Sequence, residues 1–143
     1  EYTVLVRHRN HLGVKSAATV TMGPGTTATY DFTTAATQAV GGDQPEIGAG
    51  LFGMWSGDVD GNGSVRYLNS VFPLIASDAL GILFNPLNNV PNATLNTYSR
   101  YDVNMDGSVR YLNSVVPPAA SDALYILFNT LDNIPNSTKA INY

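Results

Sequence analysis

Asp58-Val-Asp-Gly-Asn-Gly-Ser-Val-Arg-Tyr-Leu-Asn69 returns forty-four residues later as Asp102-Val-Asn-Met-Asp-Gly-Ser-Val-Arg-Tyr-Leu-Asn113. In both copies oxygen-bearing side chains stand at positions 1, 3 and 5, a glycine at 6 and a β-branched residue at 8. That is the front half of an EF-hand-type calcium loop. A hard cation needs several oxygens converging from one tight turn. Gly63 and Gly107 fall where such a turn bends most sharply, in backbone that glycine adopts without steric cost. Two copies in one register argue for two Ca²⁺ sites.

The repeat extends beyond the loops. Residues 58–94 align on 102–138 without a gap, with 26 of 37 positions identical. Each unit reads as loop, short strand (64–67 and 108–111), irregular stretch, then helix. Ser77 and Ser121 are expected N-caps, with Asp78 and Asp122 in the first turn, where a carboxylate suits the helix dipole. Leu80, Leu83, Phe84, Leu87 and their equivalents Leu124, Leu127, Phe128, Leu131 follow an i, i+3, i+4, i+7 stripe, and Pro91 and Pro135 mark the exits. One unit cannot bury its apolar face alone, whereas two can pack together. Val65 and Val109 are expected to pair across a small ribbon between the loops.

Upstream, residues 1–34 read as β. Glu1-Tyr-Thr-Val-Leu-Val-Arg-His8 alternates, Ala18–Met22 is a second short strand, and Gly23-Pro-Gly25 turns into Thr27–Phe32. Residues 35–53 read as a long Gly- and Ala-rich loop. The expected class is α+β: an N-terminal β region over 1–53, part of a β-sandwich-like sheet, then a duplicated calcium-binding domain over 54–143.

Composition narrows the function classes. The chain has 143 residues, no cysteine and a formal charge of −4, which two Ca²⁺ would neutralise. Without disulfides or zinc-binding thiols, calcium is the natural brace for a small extracellular domain. Six of the seven aspartates within the repeats (Asp58, Asp60, Asp78, Asp102, Asp106, Asp122) fall in the loops or at the helix starts. Seven lysines and arginines give no nucleic-acid footprint, and no apolar run is long enough to span a bilayer. The chain begins at Glu1 without Met or leader, which reads as a processed protein or part of a larger one.

The loops depart from the EF-hand pattern at position 12, where Asn69 and Asn113 replace the bidentate glutamate. The next carboxylates are Asp78 and Asp122. They are expected to return to the metal, with 69–77 and 113–121 as an inserted excursion. The expected ligands are therefore Asp58, Asp60, Asn62, Ser64 (main-chain carbonyl) and Asp78 in the first loop. In the second they are Asp102, Asn104, Asp106, Ser108 (main-chain carbonyl) and Asp122.

Asp58-Val-Asp-Gly-Asn-Gly-Ser-Val and Asp102-Val-Asn-Met-Asp-Gly-Ser-Val resemble the duplicated calcium loops of dockerin domains. Met54-Trp-Ser-Gly-Asp-Val-Asp-Gly-Asn-Gly and His8-Arg-Asn-His-Leu-Gly13 are similar to the dockerin-like C-terminal regions of large secreted Bacteroidetes proteins. The resemblance is strong over 54–138 and looser over the β segment. It implies an extracellular, calcium-stabilised, non-enzymatic module. The excursion lies near part of the dockerin recognition surface and the β segment is foreign to a minimal dockerin, so cohesin binding is not carried over.

Other motifs are weaker. His8 and His11 have an H-x-x-H spacing without a third ligand, which favours a turn role over a transition-metal site. Asp31 and Glu46 read as solvated carboxylates, and no nucleophile or phosphate-loop motif points to an enzyme. Asn92-Ala-Thr and Asn136-Ser-Thr are matched glycosylation sequons. Asn62-Gly-Ser is a third, inside a calcium loop. Trp55 reads as a core anchor, and Arg66 and Arg110 as exposed residues at matched positions. The expectation is a structural module at the cell surface or outside the cell. It would be a filament subunit or the end domain of a surface protein, self-associating by strand pairing through residues 1–8. The alternative is a dockerin-type adaptor for a cohesin-like receptor.

Overall fold

The computed structural model describes residues 1–68, 77–112 and 121–142. It is a small mixed α/β protein of short strands and two short helices. Contacts divide it into two units. The first comprises Glu1–His8, Gly13–Trp55 and the last residues from Ile141; the second comprises Arg9–Leu12 and Ser56–Ala140.

In the first unit, β1 (Leu5–His8) and β2 (His11–Lys15) form a two-stranded hairpin. The pairing continues irregularly through a bridge between Tyr2 and Val20. Residues 35–53, expected as loop, contain a 3-10 turn (Ala36–Gln38) and a second tight hairpin of β3 (Glu46–Gly48) and β4 (Leu51–Phe52). Thr27–Phe32, expected as a strand, is not one. Its Tyr30 hydroxyl instead accepts from the Ala17 and Ala18 N–H groups and donates to the Gln38 carbonyl. The β-sandwich-like sheet is therefore corrected: every sheet among the described residues has two strands. Few side chains here are buried, Ser16, Val20 and Ala39 among them, and local hydrogen bonds carry much of the order. Trp55 is half-buried and gives its indole N–H to the Asp43 carbonyl.

The second unit holds both loops. β5 (Ser64–Arg66) follows the first loop, α1 (Asp78–Phe84) comes next, and β6 (Thr94–Leu95) follows α1. The second repeat supplies β7 (Val109–Arg110), α2 (Asp122–Tyr125) with a π turn over Ile126–Thr130, and β8 (Thr138–Ala140). Ser77 and Ser121 cap the helices, accepting from Leu80 and Leu124 N–H at 3.1 Å. At the other ends, Asn89 N–H reaches the Leu83 carbonyl and Asn133 N–H the Leu127 carbonyl, with positive φ at 88–89 and 132–133. These bonds reach back six residues to close each helix end, with asparagine and aspartate tolerating the left-handed turn.

Two expectations are overturned. Val65 and Val109 do not pair with each other. β5 pairs with β8 (Val65 opposite Lys139) and β7 with β6 (Val109 opposite Leu95). Each strand takes the tail that leaves the other repeat's helix, because the capped and proline-marked exit delivers extended backbone there. The helix stripe is overturned only in part: Leu83, Leu87, Leu127 and Leu131 are buried as expected, but the phenylalanines are not. Ala79, Ile82 and Leu83 are buried beside Asp78, whereas Phe84 and Phe128 are 55% and 54% exposed. Burying the carboxylate at the helix start turns the phenylalanines outward. The core is repeat-symmetric: Val59 and Val103, Val65 and Val109, Ile82 and Ile126 are all essentially inaccessible.

Candidate metal centre

The loop sequence builds its own scaffold. Gly63 and Gly107 have φ of 83° and 86°, and their N–H groups donate to Asp58 Oδ2 (3.2 Å) and Asp102 Oδ2 (3.1 Å). The position-1 carboxylate thus gathers the turn around itself. Positions 3 and 5 close smaller turns. Asp60 Oδ1 accepts from Asn62 N–H and Asn62 Oδ1 from Ser64 N–H. Asn104 Oδ1 accepts from Asp106 N–H and Asp106 Oδ1 from Ser108 N–H. These side chains belong to the local Asx-turn repertoire that asparagine and aspartate favour.

Asp78 reaches this loop from the start of α1. Its Oδ1 accepts from Val59 N–H at 2.9 Å and its Oδ2 from Arg66 N–H at 2.8 Å. Asp122 does the same in the second loop, through Val103 N–H (2.6 Å), Asn104 N–H (3.3 Å) and Arg110 N–H (2.8 Å). Both carboxylates are buried, and each ties the two ends of its loop to a helix start. Ligand oxygens of Asp58, Asp60 and Asp78 lie within 4.8 Å of one another, so this trio can hold a metal ion. In the second loop position 3 is Asn104 and the third carboxylate, Asp106, stands at position 5; among the described residues only the first loop's three carboxylates converge this closely.

Electrostatics single out the same residues. Burial pushes the Asp78 carboxyl up to about 7, helped by the negative charges of Asp60 and Asp58 and opposed by its two backbone donors. Burial likewise raises Asp122 to about 6, against three backbone donors. Asp58 is also raised, by burial first. Such groups resist ionisation until a positive charge arrives. One further observation points to a cation: Asp58 Oδ1 and Asp102 Oδ1 are buried without a hydrogen-bond partner. Buried polar atoms nearly always find one. The two orphans occupy matched positions, the first of each loop.

The remaining sequence candidates sort as follows. Ser64 Oγ donates to Asn62 Oδ1, and Ser108 Oγ accepts from Arg110 Nη2. Arg66 and Arg110, expected exposed, are half-buried. Arg110 folds back on Asp106, four residues before it in the loop, at 3.1 Å. Asn69 and Asn113, with the excursions through 76 and 120, lie outside the described residues. His11 Nδ1 is hydrogen-bonded to Asn10 Oδ1, the turn role expected for it. Asp31 holds the Thr33 turn and Glu46 accepts from Gly50 N–H, both in exposed settings. Asn92 and Asn136 are exposed.

Sequence reasoning missed Asn10. It is fully buried, its Nδ2 donates to the Asp102 carbonyl at 2.8 Å, and its own carbonyl accepts from Gly57 N–H. It thereby holds the entry to each loop, the second from ninety-two residues away. No local pattern marks such a residue. Among the described residues no helix is long and apolar enough to cross a membrane.

No family model matches the chain, and neither a curated protein nor a solved structure matches it significantly.

Proposed function

We propose that this chain is a non-catalytic extracellular module braced by two calcium ions on dockerin-like repeats, serving as a structural unit of a surface assembly. The observation that carries the reading is the pair of orphaned, buried oxygens on Asp58 and Asp102. A cation is the partner that would satisfy both at once. The donor set selects which cation. Carboxylate, amide and main-chain oxygens in an irregular loop suit Ca²⁺, whose coordination is large and flexible. Mg²⁺ demands a small octahedron, and softer metals prefer nitrogen or sulfur.

In the first site Asp58, Asp60, Asn62 and Asp78 would hold the ion, with the Ser64 carbonyl. In the second, Asp102, Asn104, Asp106 and Asp122 would hold it, with the Ser108 carbonyl. Bound calcium would offset the burial, and the lesser like-charge crowding, that raise Asp78. It would also fix both helix starts against the loops.

The assembly half of the reading rests on β1. All four of its residues are exposed, Leu5 and Val6 included, and among the described residues β2 is its one partner strand. Such an edge suits strand addition by a second copy. The adaptor reading has its own support: Phe84 and Phe128 present matched exposed aromatics on the two repeats.

Two measurements test the proposal. Calorimetric titration of the metal-free protein with CaCl₂ should give two ions per chain, and no binding would end the calcium reading. Light scattering in millimolar calcium and in excess chelator should show oligomers that depend on residues 1–8. A strict monomer at high concentration would reject assembly in favour of the adaptor.

A further inference from the structure

The two loops carry the same charged side chains but not the same electrostatic balance. Each offers three carboxylates: Asp58, Asp60 and Asp78 in the first, Asp102, Asp106 and Asp122 in the second. In the second loop one of the three is already engaged. Arg110 Nη1 sits 3.1 Å from Asp106 Oδ2, and Arg110 Nη2 donates to Ser108 Oγ at 3.1 Å. Asp106 Oδ2 also accepts from Asn104 Nδ2, and its Oδ1 from Ser108 N–H. Both oxygens of this carboxylate are therefore occupied from within the loop.

The first loop has no such counter-ion. Its position 5 is the neutral Asn62, so the equivalent Arg66 has no carboxylate at that spacing. Arg66 makes no ion pair among the described residues, and its Nε is buried without a partner. Asp60 meanwhile stands at position 3, converging with Asp58 and Asp78. The exchange of Asp and Asn between positions 3 and 5 thus decides whether the loop's own arginine can neutralise it.

Resting on the calcium reading above, we propose that Arg110 is an internal counter-cation that sets the affinity of the second site, so that the two loops fill in order. The first loop, whose carboxylates are hydrogen-bonded but carry no ion-paired arginine among the described residues, takes calcium at the lower concentration. The second fills when the ion displaces the Arg110 guanidinium from Asp106. Charge around the ion tunes affinity in such loops, and with three carboxylates in each loop the Arg110 contact carries the difference. That ion pair is partly exposed, and releasing such a pair changes a binding constant by roughly two- to fivefold.

The test is a calcium titration of the full chain by calorimetry, with the Gly63 and Gly107 amide resonances followed in parallel. Those N–H groups each donate to the position-1 carboxylate and report the loops separately in the unmodified protein. The Gly63 signal should move first and the Gly107 signal at about two- to fivefold higher calcium. Arg110→Gln should tighten the second step about two- to fivefold and leave the first unchanged. Arg110→Lys, retaining a charge, should fall between, and Arg66→Gln should alter neither step by as much. Simultaneous movement of both amides in the parent protein, or a second step that Arg110→Gln leaves unchanged or weakens, would overturn the proposal while leaving calcium binding intact. Absence of any calcium response would instead remove the reading on which it rests.

Discussion

Replacing Asp78 with asparagine separates a backbone strap from a metal ligand, because the two roles predict different responses to calcium. The Asp78 carboxylate is 1% exposed and accepts from both Val59 and Arg66 N–H. An asparagine of the same shape can accept one of those hydrogens but presents its amide to the other. One buried donor is left unmet, at about 1–3 kcal/mol. The opposing term is the charge. Burial raises Asp78 from 3.8 to about 7, so at pH 8 the metal-free protein holds an unwelcome anion that Asp78→Asn removes. That relief is on the order of a few kcal/mol. The two terms nearly offset, so Asp78→Asn should melt within about 5 °C of the parent protein in excess chelator. In calcium the balance changes. An ion at a hundredfold its dissociation constant stabilises by about 2.7 kcal/mol per site. If Asp78 holds the ion, most of this is lost at the first site. The calcium-induced rise in Tm should then shrink by about 5–10 °C. Asp60→Asn, at an exposed position, should show a similar loss in calcium with little change in chelator. Melting curves by circular dichroism in both buffers decide the matter. An unchanged calcium increment in Asp78→Asn, with a lower Tm in chelator, would refute the ligand role and leave Asp78 a strap.

Three further outcomes are expected. The raised values of Asp78 and Asp122 mean that the folded, metal-free protein binds more protons than the unfolded chain. Their contribution is complete below about 4 and lost as pH rises through 6 to 7. The Tm in chelator should therefore fall between pH 5 and pH 8, while added calcium should raise Tm most at the upper end; a chelated Tm that climbs across this window would contradict the sign. Gly57→Ala should destabilise the second unit by more than about 2 kcal/mol, measured by urea unfolding. Gly57 has φ of 114°, and an added Cβ would lie 2.8 Å from Val65 Cγ1 and 2.9 Å from Ile126 Cγ1. Asn10→Ala would leave the Asp102 carbonyl without its side-chain donor and should cost about 1–3 kcal/mol. Calorimetry should show the second calcium step weakened more than the first.

What the sequence disclosed and what it withheld divide along the range of the interactions. The loop turns, the serine caps and the glycines at position 6 are local, so a dozen residues carry each of them. The proximity of Asp78 to Asp58 and Asp60 was reachable by asking which carboxylate comes next. The pairings were not. β6 and β8 contain two and three residues, too few for an alternation to register. Thr27–Phe32 looks more strand-like than either, yet its Tyr30 spends its hydroxyl on capping neighbouring backbone. Stripe reading failed at Phe84 because periodicity identifies an apolar face without saying which residue of the turn shares it with a buried carboxylate.

The exchanged strands give the duplication its physical sense. Thr94 and Thr138 hold the same place in the repeat, and they lie opposite Arg110 and Arg66, which also hold the same place. Each loop is closed on one side by its own helix start, through Asp78 or Asp122, and on the other by a strand from the opposite repeat. A single repeat would lack that second wall. Its Val65 or Val109, now inaccessible, would face water, and the N–H that meets Asp78 or Asp122 would lose the strand that holds it in place. The pair of sites therefore forms as one structure, even where a difference of one arginine contact lets them fill unequally.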